Sequence, residues 1–319
     1  MKPPKGKWWI TLPVGALALA ALVAPLFGRW FWIADLMSNF VPHYAVIAFV
    51  LMIVCFLTRR PVLAACTLAI VVVEVLRLLP LWTPYPSEAG AADTTRVKII
   101  QFNVYVGNNN PTRVIDWVSR EDPDVAVLVE VTREWASPLK VLQERYPATL
   151  VKFHPNGSGI AVLSRLPSSN MHLEYVGDRW RPTVVLKASP SPLGPPLALY
   201  ATHLASPSNR GDTARRNRQL LALAKQLRAD PSNPKILVGD LNTTRWSPWF
   251  GIIADSAGLR DTEEGFGFQP TWSYMPFGVW FGIPIDHLLV SSDVHVLDRR
   301  VGPDLGSDHR PVVTMIGWS

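Results

Sequence analysis

Thiols are nearly absent from this chain: two cysteines in 319 residues, Cys55 and Cys66, and none after them. The long C-terminal part has nothing to oxidise, so an oxidising compartment is harmless to it. A strong excess of charge is missing as well. The chain has 31 Lys/Arg against 25 Asp/Glu, a formal net charge of +6. The first 94 residues hold seven Lys/Arg and four Asp/Glu, which leaves 24 against 21 for the remainder. An excess of +3 gives that part no strongly basic surface for nucleic acid, despite an overall pI near 9.4. No internal repeat is visible, and from Trp8 to Phe27 there is no charge at all.

That uncharged run is close to the ~20 residues a membrane-spanning helix needs. Val41–Thr58 and Val62–Leu81 are two further candidate spans. A cleaved signal peptide is the competing reading of the first, because Lys2, Lys5 and Lys7 precede an Ala/Leu-rich run. Two further spans favour an anchor. The three lysines and the short Arg59-Arg60 turn then belong on the cytoplasmic side, and three spans carry everything after Leu81 across the inner membrane. Glu74 and Arg77, three apart on one helix face, are expected to pair. Trp8, Trp9, Trp30, Trp32 and Trp82 sit where an aromatic belt would lie.

Thr83–Thr95 is a polar linker that would hold a domain near the bilayer without fixing its angle. This divides the chain into an anchor (1–82), a linker (83–95) and a domain (96–319). In the domain, short β-branched runs alternate with helical stretches. Strands are expected at Val97–Phe102, Val125–Val129, Ile160–Ser164, Thr183–Leu186, Leu197–Thr202, Ile236–Val238, Ile285–Ser291 and Val312–Ile316. Helices are expected at Thr112–Arg120, Thr213–Arg228 and Pro248–Ala257, and a Pro-rich hairpin loop at Ser189–Pro196. About 225 residues suffice for one mixed α/β core.

The stretch Lys235-Ile236-Leu237-Val238-Gly239-Asp240-Leu241-Asn242 organises the domain. It reads as a buried strand that delivers an acid and an amide, two residues apart and so on one face, just beyond its end. Gly239 leaves room for a ligand or another backbone to come close. A strand followed by an Asx turn explains this stretch equally well. Yet polar residues gather at other strand ends too: Asn103, Glu130, His203, Asp286, and the run Gly306-Ser307-Asp308-His309 before the last strand.

With those residues, the chain resembles the endonuclease/exonuclease/phosphatase superfamily, whose domain is similar to DNase I, to abasic-site endonucleases and to neutral sphingomyelinases. The matching motifs are Gln101-Phe102-Asn103-Val104, Val129-Glu130-Val131, Gly159-Ile160-Ala161-Val162-Leu163-Ser164-Arg165, Thr202-His203-Leu204, Gly239-Asp240-Leu241-Asn242, Ile285-Asp286-His287 and Ser307-Asp308-His309-Arg310-Pro311. They run in the family's order through residues 96–318. The resemblance implies a four-layer sandwich, an α/β fold of two mixed β-sheets with helices outside. It is silent on the spans.

A phosphodiester resists attack because its anionic oxygens repel a nucleophile; a site must neutralise charge, position water and help the leaving oxygen depart. Glu130 is the natural anchor for Mg²⁺, or Mn²⁺ in its place, with the Asn103 amide oxygen beside it and Asp308 as a further metal-site acid. His309, oriented by Asp286, has the parts of a base pair, and Asp240 can hold or deprotonate the attacking water. Asn242 and His203 can donate to the phosphoryl oxygens. The chain departs from many nuclease members in two places. Tyr105 stands where they carry an acid two residues after the first-strand Asn, and the loop Trp272–Phe281 is apolar and aromatic where they are basic. That loop suits core packing, base stacking on a single strand, or contact with the lipid bilayer or a lipid tail.

Three functions follow as expectations. The first is an inner-membrane, multi-pass, Mg²⁺-dependent phosphodiesterase with an extracytoplasmic domain, acting on a lipid or lipid-linked substrate. The others are a nuclease for extracellular DNA or RNA, and an inactive membrane-tethered binding module.

Overall fold

The computed structural model of the chain describes residues 8–83, 95–189, 196–273 and 281–318. Two pairs of parallel strands set its centre. β1 (Thr95–Asn103) and β2 (Val125–Val129) run side by side in one sheet. That sheet is completed by β3 (Ala148–Lys152) and β4 (Ile160–Ser164) on one flank, and by β11 (His295–Val301) and β12 (Val312–Trp318) on the other. In the second sheet β7 (Leu197–His203) and β8 (Lys235–Asp240) are the parallel pair. Here β5 (Ser168–Glu174) and β6 (Thr183–Ala188) flank one side, and β9 (Leu259–Asp261) and β10 (Asp286–Ser291) the other.

The sheets bury their facing sides against each other. Val97, Ile99, Val127 and Val129 of the first meet Val184, Leu186, Leu199 and Val238 of the second in one apolar cluster. The opposite faces are covered by helices, so the strands read as unbroken apolar runs. α6 (Pro111–Glu121) and α7 (Ala136–Gln143) cover the first sheet, and α8 (Arg210–Ala229) and α9 (Pro248–Ala257) the second. This is the four-layer sandwich of two mixed sheets. Gly239 has a φ of 146°, and a Cβ there would sit 1.8 Å from the Thr202 carbonyl oxygen. Its room is taken by the neighbouring parallel strand.

All eight expected strands and all three expected helices of the domain are present. Four strands and one helix were not foreseen: β3, β5, β9, β11 and α7. The proline-rich stretch 190–195 lies outside the described residues.

The N-terminal segment begins with α1 (Trp8–Ala18), a π-helical turn (Leu19–Val23) and α2 (Ala24–Phe27) in one continuous rod. α3 (Trp32–Ser38) and α4 (Val41–Leu57) follow with a 72° bend between them, and α5 (Pro61–Leu78) returns. Among the described residues two helices are long and apolar enough to cross a membrane, and there is a third candidate if the bent pair counts as one. α4 alone, at 17 residues, is shorter than the span expected at Val41–Thr58. Leu12, Phe56 and Val62 point outward and are 63–75 % exposed, as lipid-facing side chains would be. Glu74 and Arg77 do pair, at 2.8 Å, and Arg77 also donates to the Ala21 carbonyl at 2.7 Å, a structural clasp between helices.

The helices also dock on the domain. Trp249 Nε1 donates to the Gly28 carbonyl (3.1 Å) and Trp246 Nε1 to that of Arg77 (3.3 Å). The Gly265 and Gly267 amides donate to the Pro80 (3.2 Å) and Leu81 (2.6 Å) carbonyls. These bonds fix the domain's angle, which corrects the expectation of a loosely held domain; residues 84–94 of the linker lie outside the described residues. Every docking point is at the end of the helices away from the Arg59-Arg60 turn, which α5's 18 residues put about 27 Å away.

Candidate active site

Parallel pairing brings both C-terminal strand ends of each sheet to one edge. β1 and β2 deliver Asn103 and Glu130 there, while β7 and β8 deliver His203 and Asp240, which are register partners. Antiparallel β10 starts at Asp286 directly opposite Asp240. The turn before β12 adds Asp308 and His309. All eight residues singled out in the sequence meet at this edge. Six of them (Glu130, His203, Asp240, Asn242, Asp308 and His309) line a cavity of about 460 Å³.

Asp286 and His309 form the closest pair. Asp286 Oδ2 accepts from His309 Nδ1 at 2.7 Å, and Gln101 Nε2 donates to its other oxygen at 2.8 Å. Burial alone would lower the His309 pKa, but the Asp286 carboxylate, its hydrogen bond and Asp240 carry it up to about 10. Asp286 is drawn below the usual carboxylate range; burial opposes the shift, but the facing imidazolium outweighs it. The opposite holds for Asp240: burial, then repulsion from Asp286, push it up to about 7. His309 Nε2 lies 3.7 Å from Asp240 Oδ2. A charged imidazolium therefore faces a carboxyl that exchanges its proton near neutrality.

His203 is buried, and its pKa is well below the ordinary value because of burial and the nearby Arg181 and His309. Its Nε2 lies 3.5 Å from Asp240 Oδ2. Asn242, in a left-handed conformation with φ 51°, donates one amide hydrogen to the Leu204 carbonyl (3.1 Å), which leaves the other for the cavity. Its backbone N–H binds Asp240 Oδ1 at 2.9 Å, the Asx turn foreseen as the bland reading. Turn and site therefore coexist. Asn103 differs from expectation: its Nδ2 points at Glu130 Oε1 and Asp240 Oδ2, both at 3.0 Å, and its oxygen accepts from the Tyr105 amide.

A family model described as Endonuclease/Exonuclease/phosphatase family matches residues 100–309, about two thirds of the chain. The chain belongs to the endonuclease/exonuclease/phosphatase family. No curated protein matches it in sequence. Solved structures agree on the fold. Truncated TDP2 from Caenorhabditis elegans is 19% identical with a TM-score of 0.57, over 71% of this chain and all of that one. A Bacteroides vulgatus endonuclease/exonuclease/phosphatase is 15% identical with a TM-score of 0.60, over 71% and 100%. A Neisseria 3′ phosphatase bound to a product DNA hairpin is 20% identical with a TM-score of 0.57, over 70% and 100%.

Members of the family are divalent-metal-dependent hydrolases of phosphoester bonds, and the residues at this edge fit such an ion. Asp240, Asp286 and His309 present ligand atoms within 4.8 Å of one another. Since Asp286 and His309 bind each other, the oxygens left for a cation are those of Glu130, Asp240 and Asp308. Asp308 Oδ1 is buried with no hydrogen-bond partner among the described residues, while Oδ2 is held by Trp272 Nε1 at 3.1 Å. Hard oxygen donors of this kind suit Mg²⁺ or Mn²⁺.

Sequence reasoning left several contributors without a role. Gln101 and Ser307 stood inside quoted motifs. Gln101 fixes Asp286, and Ser307 Oγ donates to the Asn103 carbonyl at 2.8 Å. Arg181, whose Nη1 lies 3.1 Å from His203 Nδ1, brings a cation into the cavity from a loop with no strand-end signal. Trp272 of the aromatic loop lines the same cavity; residues 274–280 of that loop lie outside the described residues. Least foreseen are Leu36, Asn39 and Phe40. They come from the N-terminal segment and line the same cavity as the strand-end residues.

Proposed function

We propose that this protein is a membrane-anchored, Mg²⁺-dependent phosphodiesterase that hydrolyses a lipid or lipid-linked phosphodiester on the outer side of the cytoplasmic membrane. The observation that carries this reading is the shared wall: Leu36, Asn39 and Phe40 belong both to the apolar segment and to the catalytic cavity. Next along the chain, Pro42, His43, Val46 and Ile47 join Phe268, Pro270 and Phe281 around a second cavity of about 620 Å³ with an apolar lining. The His43 ring bridges the two, 5.5 Å from Phe40 and 6.4 Å from Phe281. A phosphodiester held at Asp240 and His309 would have an apolar cavity nearby, and acyl chains match that chemistry better than a polyanionic strand.

The bound metal would neutralise the phosphoryl oxygens. Asp240 is the group able to take a proton from water near pH 7, and the His309 imidazolium, fixed by Asp286, donates to the oxygen that gains charge. Asn242 and Arg181 add donors around the same oxygens.

Sidedness is supported by the docking contacts, which lie at the opposite end of the helices from Arg59-Arg60. By the positive-inside bias that turn is cytoplasmic and the domain exported. An alkaline-phosphatase fusion at the C-terminus should be active and a green fluorescent fusion dark. The reverse pattern would put the site in the cytoplasm.

Substrate class is tested at the apolar cavity. Ile47 and Phe281 are 47% and 61% exposed, so replacing both by Ser should leave folding intact. Turnover of a vesicle-embedded phosphodiester lipid should fall about tenfold or more, and that of a small soluble diester should stay within about twofold. Equal losses on both substrates would remove the lipid reading. Turnover of single-stranded DNA that collapses with salt, with lipid untouched, would replace it by the nuclease.

A further inference from the structure

We infer that Asp35, acting through Arg216, is a positioning residue for the catalytic turn, so that the helix between two apolar segments is a working part of the active site. This rests on the reading of Asp240 and Asn242 as catalytic groups. Arg216 projects from α8 and is fully buried (0% exposed). Its guanidinium joins two partners far apart in sequence: it pairs with Asp35 of α3, and its Nη1 donates to the Asn242 carbonyl at 2.9 Å. Asp35 is itself 1% exposed, and its second oxygen accepts from Ser247 Oγ at 2.6 Å.

Asn39, just past the end of α3, completes the clamp. Its Oδ1 accepts from both the backbone N–H (2.7 Å) and the hydroxyl (2.9 Å) of Thr244. The segment from Asn242 to Ser247 is therefore held at four points by α3 and by the arginine that α3 neutralises. Within it Asn242 sits at φ 51°, in the left-handed region that asparagine tolerates better than most residues, so the clamp sets where this turn lies more than whether it forms. The family model begins at residue 100, so α3 lies outside what the family shares. The guanidinium that α3 neutralises ends on the Asn242 carbonyl, and the same helix also lines the cavity through Leu36.

The test uses the full chain in lipid nanodiscs. Asp35→Ala leaves a buried cation unpaired and should lower both thermal stability and turnover. Asp35→Leu/Arg216→Met removes both charges, so no unpaired buried cation remains and only the hydrogen bonds to the Asn242 carbonyl and the Ser247 hydroxyl are lost. If the pair positions the turn, the double variant recovers most of the melting temperature that Asp35→Ala loses. Its kcat on a small chromogenic diester with Mn²⁺ nevertheless stays about tenfold or more below wild type at nearly unchanged KM. Amide exchange over residues 242–247 should stay faster than in wild type. Recovery of kcat and slow exchange together with stability would make the pair purely structural and overturn the inference. Should the wild-type protein hydrolyse no diester at all, the proposed function falls, and the exchange measurement still decides the clamp.

Discussion

Glu130→Ala is expected to lower turnover about 10³-fold at millimolar Mg²⁺ while the domain stays folded. The side chain stands at the end of β2 with φ 67°, its oxygens held by Asn103 Nδ2 (3.0 Å) and the Val106 amide (2.9 Å). Val106 is 39% exposed, so water can take over that amide, and the stability lost should be about 1 kcal/mol. Charge is what the variant loses. Glu130 is the only carboxylate delivered by the parallel pair of the first sheet, because Tyr105 replaces the acid that many nuclease members have nearby. Calorimetric titration should show metal affinity falling alongside activity, with the thermal midpoint nearly fixed. Undiminished wild-type turnover in excess chelator would show that the site works without a metal.

The second large effect belongs to the Asp286–His309 pair. Asp286→Asn and His309→Asn should each cost about 10³-fold in kcat, and the double variant little more than either, since one function cannot be lost twice. Multiplicative losses would mean that the two do not act together. The pH profile gives an independent reading. Asp286 holds the His309 imidazolium up to about 10, so wild type keeps this proton through neutrality. In Asp286→Asn that support is gone, and residual activity should decline as pH rises, at a pH well below 10. The stabilising effect of the raised pKa has the same sign. It is fully present below the unfolded histidine's value of about 6.5 and is lost as pH rises through about 10.

The interior of the domain was legible in the sequence because its central strands are buried on both faces. Val125–Val129 and Ile160–Ser164 are apolar at nearly every position, and their bounds match the structure. The four unforeseen strands are the four sheet edges. β3 and β11 are half-exposed, and β11 mixes His295, Asp298, Arg299 and Arg300 into its run, which hides both the apolar pattern and the alternation. The site's strand-end residues were legible for a related reason: a polar residue that stops a buried strand stands out. Arg181 had no such background. Nor did Asp35, where an acid in a short loop between apolar runs looks like a solvated charge. Its partner Arg216 is 181 positions away and sits on a helix whose other charged residues are partly or fully exposed. No local pattern links them.

Docking the helices to the domain, through backbone carbonyls at the ends of α2 and α5 and through the Asp35 and Asn39 side chains, has a kinetic consequence. If the substrate is a lipid, the mouth of the cavity is held at a fixed height and tilt above the bilayer, and encounter occurs by lateral diffusion in two dimensions. Turnover would then follow the substrate's mole fraction in the membrane, and diluting it with inert lipid would slow the enzyme even at constant total substrate. A domain swinging on its linker alone would sample bulk solution instead, and would respond to concentration in three.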